Sequence, residues 1–233
     1  MADYGLRIKN SASEIQIDST YRNLSLHESN AAQTVSNANT DAGYYTTAAI
    51  ASSPLVPIIL IKPNTDYFVF MESYVLSAGN YTGVRLVTER LQTTVMGWAC
   101  YRENIAPSAQ VYGLRVYNPG GNLVFDSGRY YFKIRSVHTV SLGNPTAATF
   151  PYVDITHAAT SDPFYILAPS SYSSNASPAS GGTAVILKRV GLKKLSATSV
   201  RVGWFYLRSL FYGDIYVTSD EMYNPTLKLL VCN

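Results

Sequence analysis

The feature of this chain that most constrains its fold is a strand–turn–strand segment that occurs twice. One copy covers residues 4–19 and the other covers residues 112–127, at a constant shift of 108 (112 − 4). Tyr, Gly, Leu, Arg, Asn, Asp and Ser are identical in the two copies, and apolar residues alternate with polar ones. This alternation on both sides of the turn residues Pro119-Gly120-Gly121 predicts a β-hairpin with one buried face.

Two further motifs recur at a shift of 106. The proline-bracketed apolar segment 57–63 recurs as 163–169, and a Gly-Trp dipeptide ends at Trp98 and again at Trp204. Motifs that recur in the same order at nearly one spacing indicate an internal duplication. We therefore expect Trp98 and Trp204 to lie at equivalent positions in two cores.

The duplication divides the chain into two copies of one unit, residues 1–110 and 111–233. Strand signals recur every 8–12 residues, and frequent Tyr, Val, Ile and Thr favour strands over helices. We predict an all-β chain of two tandem β-sandwich-like domains related by internal duplication. No run of about 18 apolar residues is present, so no membrane span is expected.

Three long segments rich in small and polar residues interrupt the strand pattern: 28–54, 136–161 and 170–183. We predict that they are surface loops, and that 28–54 and 170–183 are mobile, because they hold little apolar surface to offset the entropy of ordering.

Tyrosines within these segments are candidates for binding. Tyr44, Tyr45 and Tyr172 stand among Ser, Gly, Asn and Ala, a mixture that loops use for adaptable recognition. They also suit stacking on sugar rings. The alternative is that Tyr is common in this chain, with 19 copies, and that these loops only cap the sandwich.

The repeated Arg and Asp of the hairpin predict a cross-strand ion pair. A four-residue turn places Arg7 opposite Asp18 in the first copy and Arg115 opposite Asp126 in the second. We expect both pairs on the outer, polar face, where they fix the register of the hairpin and become partly covered on assembly.

The sequence contains no convincing catalytic constellation. His157 follows Asp154 by three residues among many serines, but this spacing carries little information about a Ser-His-Asp triad. No Cys and His residues have metal-ligand spacing, and we expect no cofactor. Cys100 and Cys232 stand in strand-like surroundings and are predicted to be small buried hydrophobic residues.

The charge of the chain does not indicate a nucleic-acid partner. Formal net charge is +3, and the densest basic cluster combines Lys188-Arg189 with Lys193-Lys194. That cluster is either a phosphate-binding patch or, as we predict, a solvated face.

The duplicated hairpin resembles a segment found in a family of bacteriophage virion proteins. Residues 112–127 are similar to the Tyr-Gly-Leu-Arg-Val-Tyr-Asn…Leu-Val-Phe-Asp-Ser segment of that family, and residues 4–19 resemble the opening of its members. The resemblance implies a non-enzymatic structural component of a tailed-phage virion, at the tail tip, baseplate or tail fibre. It further implies assembly in the host cytoplasm, as a homo-oligomer and with other virion proteins.

Two other functions stay open at this point. One is a receptor- or glycan-binding module of the tail that recognises the host surface through the tyrosines named above. The other is a hydrolase of surface polysaccharide, which the absence of a paired acidic site disfavours.

Overall fold

The computed structural model describes residues 7–9, 15–18, 24–33, 37–39, 43–89, 96–103, 107–145, 149–159, 163–168, 172–179, 182–212 and 226–232. Every regular element in this part of the chain is a strand. Across these residues, no helix has the length and hydrophobicity needed to span a membrane.

The strands are numbered in chain order. Their bounds are β1 Arg7–Lys9, β2 Ile15–Asp18, β3 Ser25–Gln33, β4 Asn37–Asn39, β5 Gly43–Ser53, β6 Ile58–Lys62, β7 Val69–Ser77, β8 Asn80–Thr88, β9 Met96–Arg102, β10 Arg115–Tyr117, β11 Leu123–Asp126, β12 Ile134–Ser141, β13 Tyr152–Thr156, β14 Phe164–Ala168, β15 Tyr172–Ala179, β16 Gly182–Lys194, β17 Ser199–Tyr212 and β18 Thr226–Cys232.

Two large antiparallel sheets form the body of the molecule. A six-stranded sheet has the order β12-β18-β14-β6-β9-β3, and an eight-stranded sheet has the order β13-β17-β16-β7-β8-β5-β4, with β15 paired to β16. The hairpins β1-β2 and β10-β11 each form a separate two-stranded sheet. The chain is therefore all-β, as predicted.

The strand pairings of the first half are repeated in the second. In the six-stranded sheet, β3-β9-β6 corresponds to β12-β18-β14, and in the eight-stranded sheet β5-β8-β7 corresponds to β13-β17-β16. The halves meet where β6 pairs with β14 and where β7 pairs with β16. The two sandwich-like halves are thus related by internal duplication, and they share both sheets. The domain boundary at residues 110 and 111 stays a prediction.

Each half has its own apolar core between the sheets. Trp98 belongs to the first core and Trp204 to the second, and both are buried. Their predicted equivalence is wrong, however, because Trp98 lies on β9 of the six-stranded sheet and Trp204 on β17 of the eight-stranded sheet. The counterpart of β9 is β18, which begins 130 residues later (226 − 96), since the second half contains the additional strand β15 and longer strands β16 and β17.

The predicted surface loops are largely strands, which is a second correction. Segment 28–54 contains most of β3 together with β4 and β5, and segment 136–161 contains most of β12 together with β13. In β5, the buried residues Thr46, Ala48 and Ile50 alternate with exposed neighbours. Small side chains at these inward positions keep the period of a strand but remove the strong apolar signal on which the sequence prediction depends.

The low-complexity segment 170–183 is also paired. Within it, β15 runs antiparallel to β16 from the pair Tyr172–Arg189 to the pair Ala179–Gly182. Backbone pairing does not require apolar side chains, so a Ser-rich segment can complete a sheet when a long partner strand is available. The prediction of a loop here is wrong.

A third apolar cluster covers the outer face of the six-stranded sheet where the halves meet. Residues 129–133, which we call the connector, lead from the second hairpin to β12. The connector crosses the start of β3, where the Phe132 amide donates to the Leu24 carbonyl at 3.0 Å. The shift of 108 relates Leu24 to Phe132 (132 − 24), so equivalent residues of the two halves meet here. Their side chains pack over central residues such as Leu60.

Candidate interaction site at the second hairpin

The hairpins have the register that the sequence predicts. Ile8 is opposite Ile17 and Arg7 is opposite Asp18. In the second copy, Arg115 is opposite Asp126. The side chains of Arg7 and Asp18 lie outside the described residues, so the ion pair of the first copy stays a prediction.

The turn of the second hairpin is closed by Asn118. Its backbone amide donates to the Asn122 carbonyl, and its side-chain Oδ1 accepts from the Asn122 amide, both at 2.9 Å. Gly121 has φ of +77°, a conformation that costs a glycine little. These contacts account for the Asn and the glycine of the repeated motif.

Asp126 is the centre of the site. Its Oδ2 lies 3.1 Å from Arg115 Nε, which confirms the predicted ion pair in this copy. Asp126 is only 2% exposed, so its predicted place on an open outer face is wrong. The residue that covers it is Ser108, whose amide donates to Oδ2 at 2.8 Å and whose hydroxyl donates to Oδ1 at 3.0 Å. The Gly128 amide donates to Oδ1 at 2.8 Å.

These hydrogen bonds decide the protonation of the Asp126 carboxyl. Burial alone raises its pKa, but the donors from Ser108, Gly128 and Arg115 together outweigh burial and lower the pKa to about 2. The carboxylate therefore stays ionised at neutral pH, where it holds the segment before the hairpin against the hairpin itself.

Arg115 adds a second connection to the same segment. Its Nη2 donates to the carbonyl oxygens of Ser108 at 2.8 Å and Gln110 at 3.0 Å. Ser108 was not among the residues predicted from the sequence, because nothing in residues 103–111 distinguishes it from other linker serines. The repetition of Arg and Asp was the available signal, and it pointed to the right pair.

Gly113 occupies a position that only glycine fits. Its φ is +142°, and a Cβ there would lie 2.3 Å from Ser127 Oγ. Ser127 Oγ in turn accepts a hydrogen bond from the Leu114 amide at 2.9 Å. The repeated Gly and Ser therefore hold the entry of the hairpin.

Large apolar side chains around this hairpin are exposed. Val111 is 87% exposed and Tyr112 is 89% exposed, and the set with exposed side chains is Val111, Tyr112, Leu114, Tyr117 and Tyr130. A rigid hairpin that presents such residues is suited to contact with another molecule.

The three tyrosines predicted as binding residues do not form one surface. Tyr44 packs on the core between the sheets, whereas Tyr45 packs with Phe70 on the outer face of the eight-stranded sheet. They are consecutive on β5, so their side chains point to opposite faces. The Arg85 guanidinium lies 4.6 Å from the centre of the Tyr45 ring. Tyr172 lies on β15, and its side chain is outside the described residues.

His157 and Asp154 are not parts of one catalytic arrangement. Arg201 binds both carboxylate oxygens of Asp154, with Nε at 2.7 Å and Nη2 at 2.8 Å. The His157 ring is buried, with Nε2 2.8 Å from the Tyr165 hydroxyl and Nδ1 2.8 Å from the Ala158 carbonyl. Both ring nitrogens are thus engaged in the packing of β14. In the part of the chain that the structure describes, no three His, Cys, Asp or Glu side chains are grouped to hold a metal ion.

The basic cluster is less solvated than predicted. Lys188 is fully buried, with Nζ 5.4 Å from the centre of the Phe150 ring, and burial lowers its pKa. Arg189 lies over Phe70. The interpretation of this cluster as a solvated face is therefore wrong at Lys188, where a long strand carries the side chain inside.

Both cysteines are buried and free, as predicted. Cys100 belongs to the core of the first half, and Cys232 belongs to the cluster beneath the connector. Burial raises the pKa of the Cys100 thiol to about 11 and that of the Cys232 thiol to about 12.

Comparison with known proteins yields no relative. No protein-family model matches the chain, and no curated protein and no solved structure is significantly similar to it.

Proposed function

We propose that the chain is a non-enzymatic structural component of a tailed-phage virion, at the tail tip, baseplate or tail fibre. It assembles there with further copies of itself and with other virion proteins. The observation that carries the proposal is the second hairpin, which lies outside both large sheets, is locked by the Arg115–Asp126 pair, and exposes Tyr112 and Tyr117.

The resemblance of residues 112–127 to phage virion proteins supports the proposal from the sequence. The architecture supports it from the fold, because two sandwiches that share both sheets offer a broad, rigid body to neighbouring subunits. The glycan-binding alternative based on Tyr44 and Tyr45 loses support, because these residues face opposite sides of β5.

The proposal is tested by incorporation into particles. A double variant, Tyr112→Ser with Tyr117→Ser, removes two exposed rings of the hairpin without touching a core. A matched control, Val137→Ser, removes an apolar side chain exposed on β12. We expect the hairpin variant to fold normally and to enter purified particles about tenfold less than the control, since central apolar contacts dominate interface energies. Equal incorporation of both variants, or absence of the wild-type chain from particles, would contradict the proposal.

A further inference from the structure

A surface cleft of about 450 Å³ opens where the connector crosses the first half of the molecule. It lies beside the hairpin but has a different lining from the apolar surface described above. The described residues that line it are Leu26, Tyr101, Arg129, Tyr130, Tyr131 and Lys133.

The walls of the cleft are held in place by backbone and ring contacts. The Leu26 amide donates to the Tyr130 carbonyl at 2.7 Å. The Tyr131 ring stacks on Phe125 with centres 4.9 Å apart, and its hydroxyl donates to the Asp126 carbonyl at 3.0 Å. Such walls require little reorganisation when a ligand binds, which favours affinity.

The chemistry of the lining is aromatic and cationic. Tyr130 is 78% exposed, so one ring face is available for stacking, and Lys133 is also exposed. Arg129 Nη2 donates to the Pro107 carbonyl at 3.2 Å, which orients the guanidinium. Among the described residues of the lining there is no carboxylate. A ligand with a flat apolar face and a negative charge matches this combination.

Two other classes of ligand fit less well. A peptide that binds by strand addition would need the backbone of β3 near Leu26, but the connector already occupies that edge through Tyr130 and Phe132. A nucleic-acid strand needs a track of cations along its phosphates, whereas the cleft presents Arg129 and Lys133 alone among its described residues.

We propose that this cleft binds an acidic saccharide. The sugar ring stacks on Tyr130, and the carboxylate of the sugar is held by Arg129 and Lys133. This binding is independent of the role in a virion proposed above, because it depends only on the residues of the cleft.

The test measures binding of saccharide probes to the full-length chain by calorimetry. The acidic probes are oligomers of galacturonate and of N-acetylneuraminate, and the neutral probes are their methyl esters, which keep the ring but lose the charge. We expect the wild-type chain to bind an acidic probe and not its ester, with an affinity that falls as salt is raised.

Variants locate the binding. Tyr130→Ala and Lys133→Gln change exposed side chains of the cleft, and each is expected to weaken binding about tenfold or more, as the loss of a charge-assisted contact or a stacking partner would. Tyr112→Ala and Lys228→Gln are matched controls, exposed but outside the lining, and should leave the affinity unchanged within about twofold.

Several results would overturn the inference. These are binding of neither acidic probe at millimolar concentration, equal binding of acid and ester, or wild-type affinity in both cleft variants. Equally tight binding of a poly-glutamate peptide would assign the cleft to acidic peptides instead. None of these results bears on incorporation into particles, so the two proposals fail separately.

Discussion

At the scale of single residues, Asp126 shows how one carboxylate organises a surface element. It is buried, accepts hydrogen bonds from three residues and is paired with Arg115. Its pKa in the folded protein is about 2, against a usual value of 3.8. Because the folded-state pKa is the lower one, the ionised form stabilises the fold above about pH 4, and this contribution is lost as pH falls from about 4 to 2.

The first prediction concerns this residue. Asp126→Asn should lower the free energy of unfolding by about 2 kcal/mol at pH 7, because each pKa unit corresponds to about 1.4 kcal/mol. Urea unfolding at pH 7 and at pH 3 measures the effect, and the variant should differ less from the wild type at pH 3. The control Asp154→Asn removes a more exposed pair with Arg201 and should cost less than about 1 kcal/mol. Equal losses in the two variants would contradict the role given to Asp126.

A second prediction concerns Gly113. Gly113→Ala should destabilise the protein by roughly 1–3 kcal/mol, because a Cβ at φ of +142° would meet Ser127 Oγ. The matched control is Gly120→Ala in the turn of the same hairpin, where the nearest atoms to a Cβ lie at 3.4 Å. Thermal unfolding of both variants decides the matter, and a similar midpoint for the two would show that Gly113 is not under the constraint described.

A third prediction uses the cysteines. Burial raises the pKa of both thiols well above neutral pH, so the thiolate, which is the reactive form, is scarce. We expect a thiol reagent at pH 8 to label neither Cys100 nor Cys232 in the native protein and to label both in denaturant. Rapid labelling of the native protein would show that these cores open readily.

At the scale of elements, the sequence predicts the parts whose signals are local. The hairpin register follows from the turn length and from alternation, and the apolar segment after Pro57 becomes the central strand β6, buried on both faces. Strands built from small residues were missed, because β5 and β15 owe their state to partner strands distant in the sequence. The burial of Asp126 was missed for the same reason, since it depends on where Ser108 lies.

The fourth prediction belongs to this scale. If β15 is paired with β16 as described, its amides that point toward β16 should exchange with solvent slowly in the isolated protein. Hydrogen exchange read by NMR gives the rate for each residue of 172–179. Fast exchange along the whole of this range would restore the sequence-based prediction of a mobile loop.

At the scale of the whole molecule, the two halves are joined at three places. Tyr165 pairs with Ile61, Leu192 pairs with Val69, and the connector crosses β3 over a shared apolar cluster. The repetition of pairings was predictable from the recurring motifs, but the sharing of sheets was not. No local signal states which strand of one half will pair with the other half.

The central claim is that this rigid body presents the second hairpin to a neighbouring subunit in a phage particle. Cryo-microscopy of intact particles at side-chain resolution tests it most directly, through the exposure of Tyr112, which is 89% in the isolated chain. The account predicts that the chain lies in the tail and that Tyr112 and Tyr117 are buried against another subunit. A particle in which this hairpin faces open solvent, or which lacks the chain, would contradict the account.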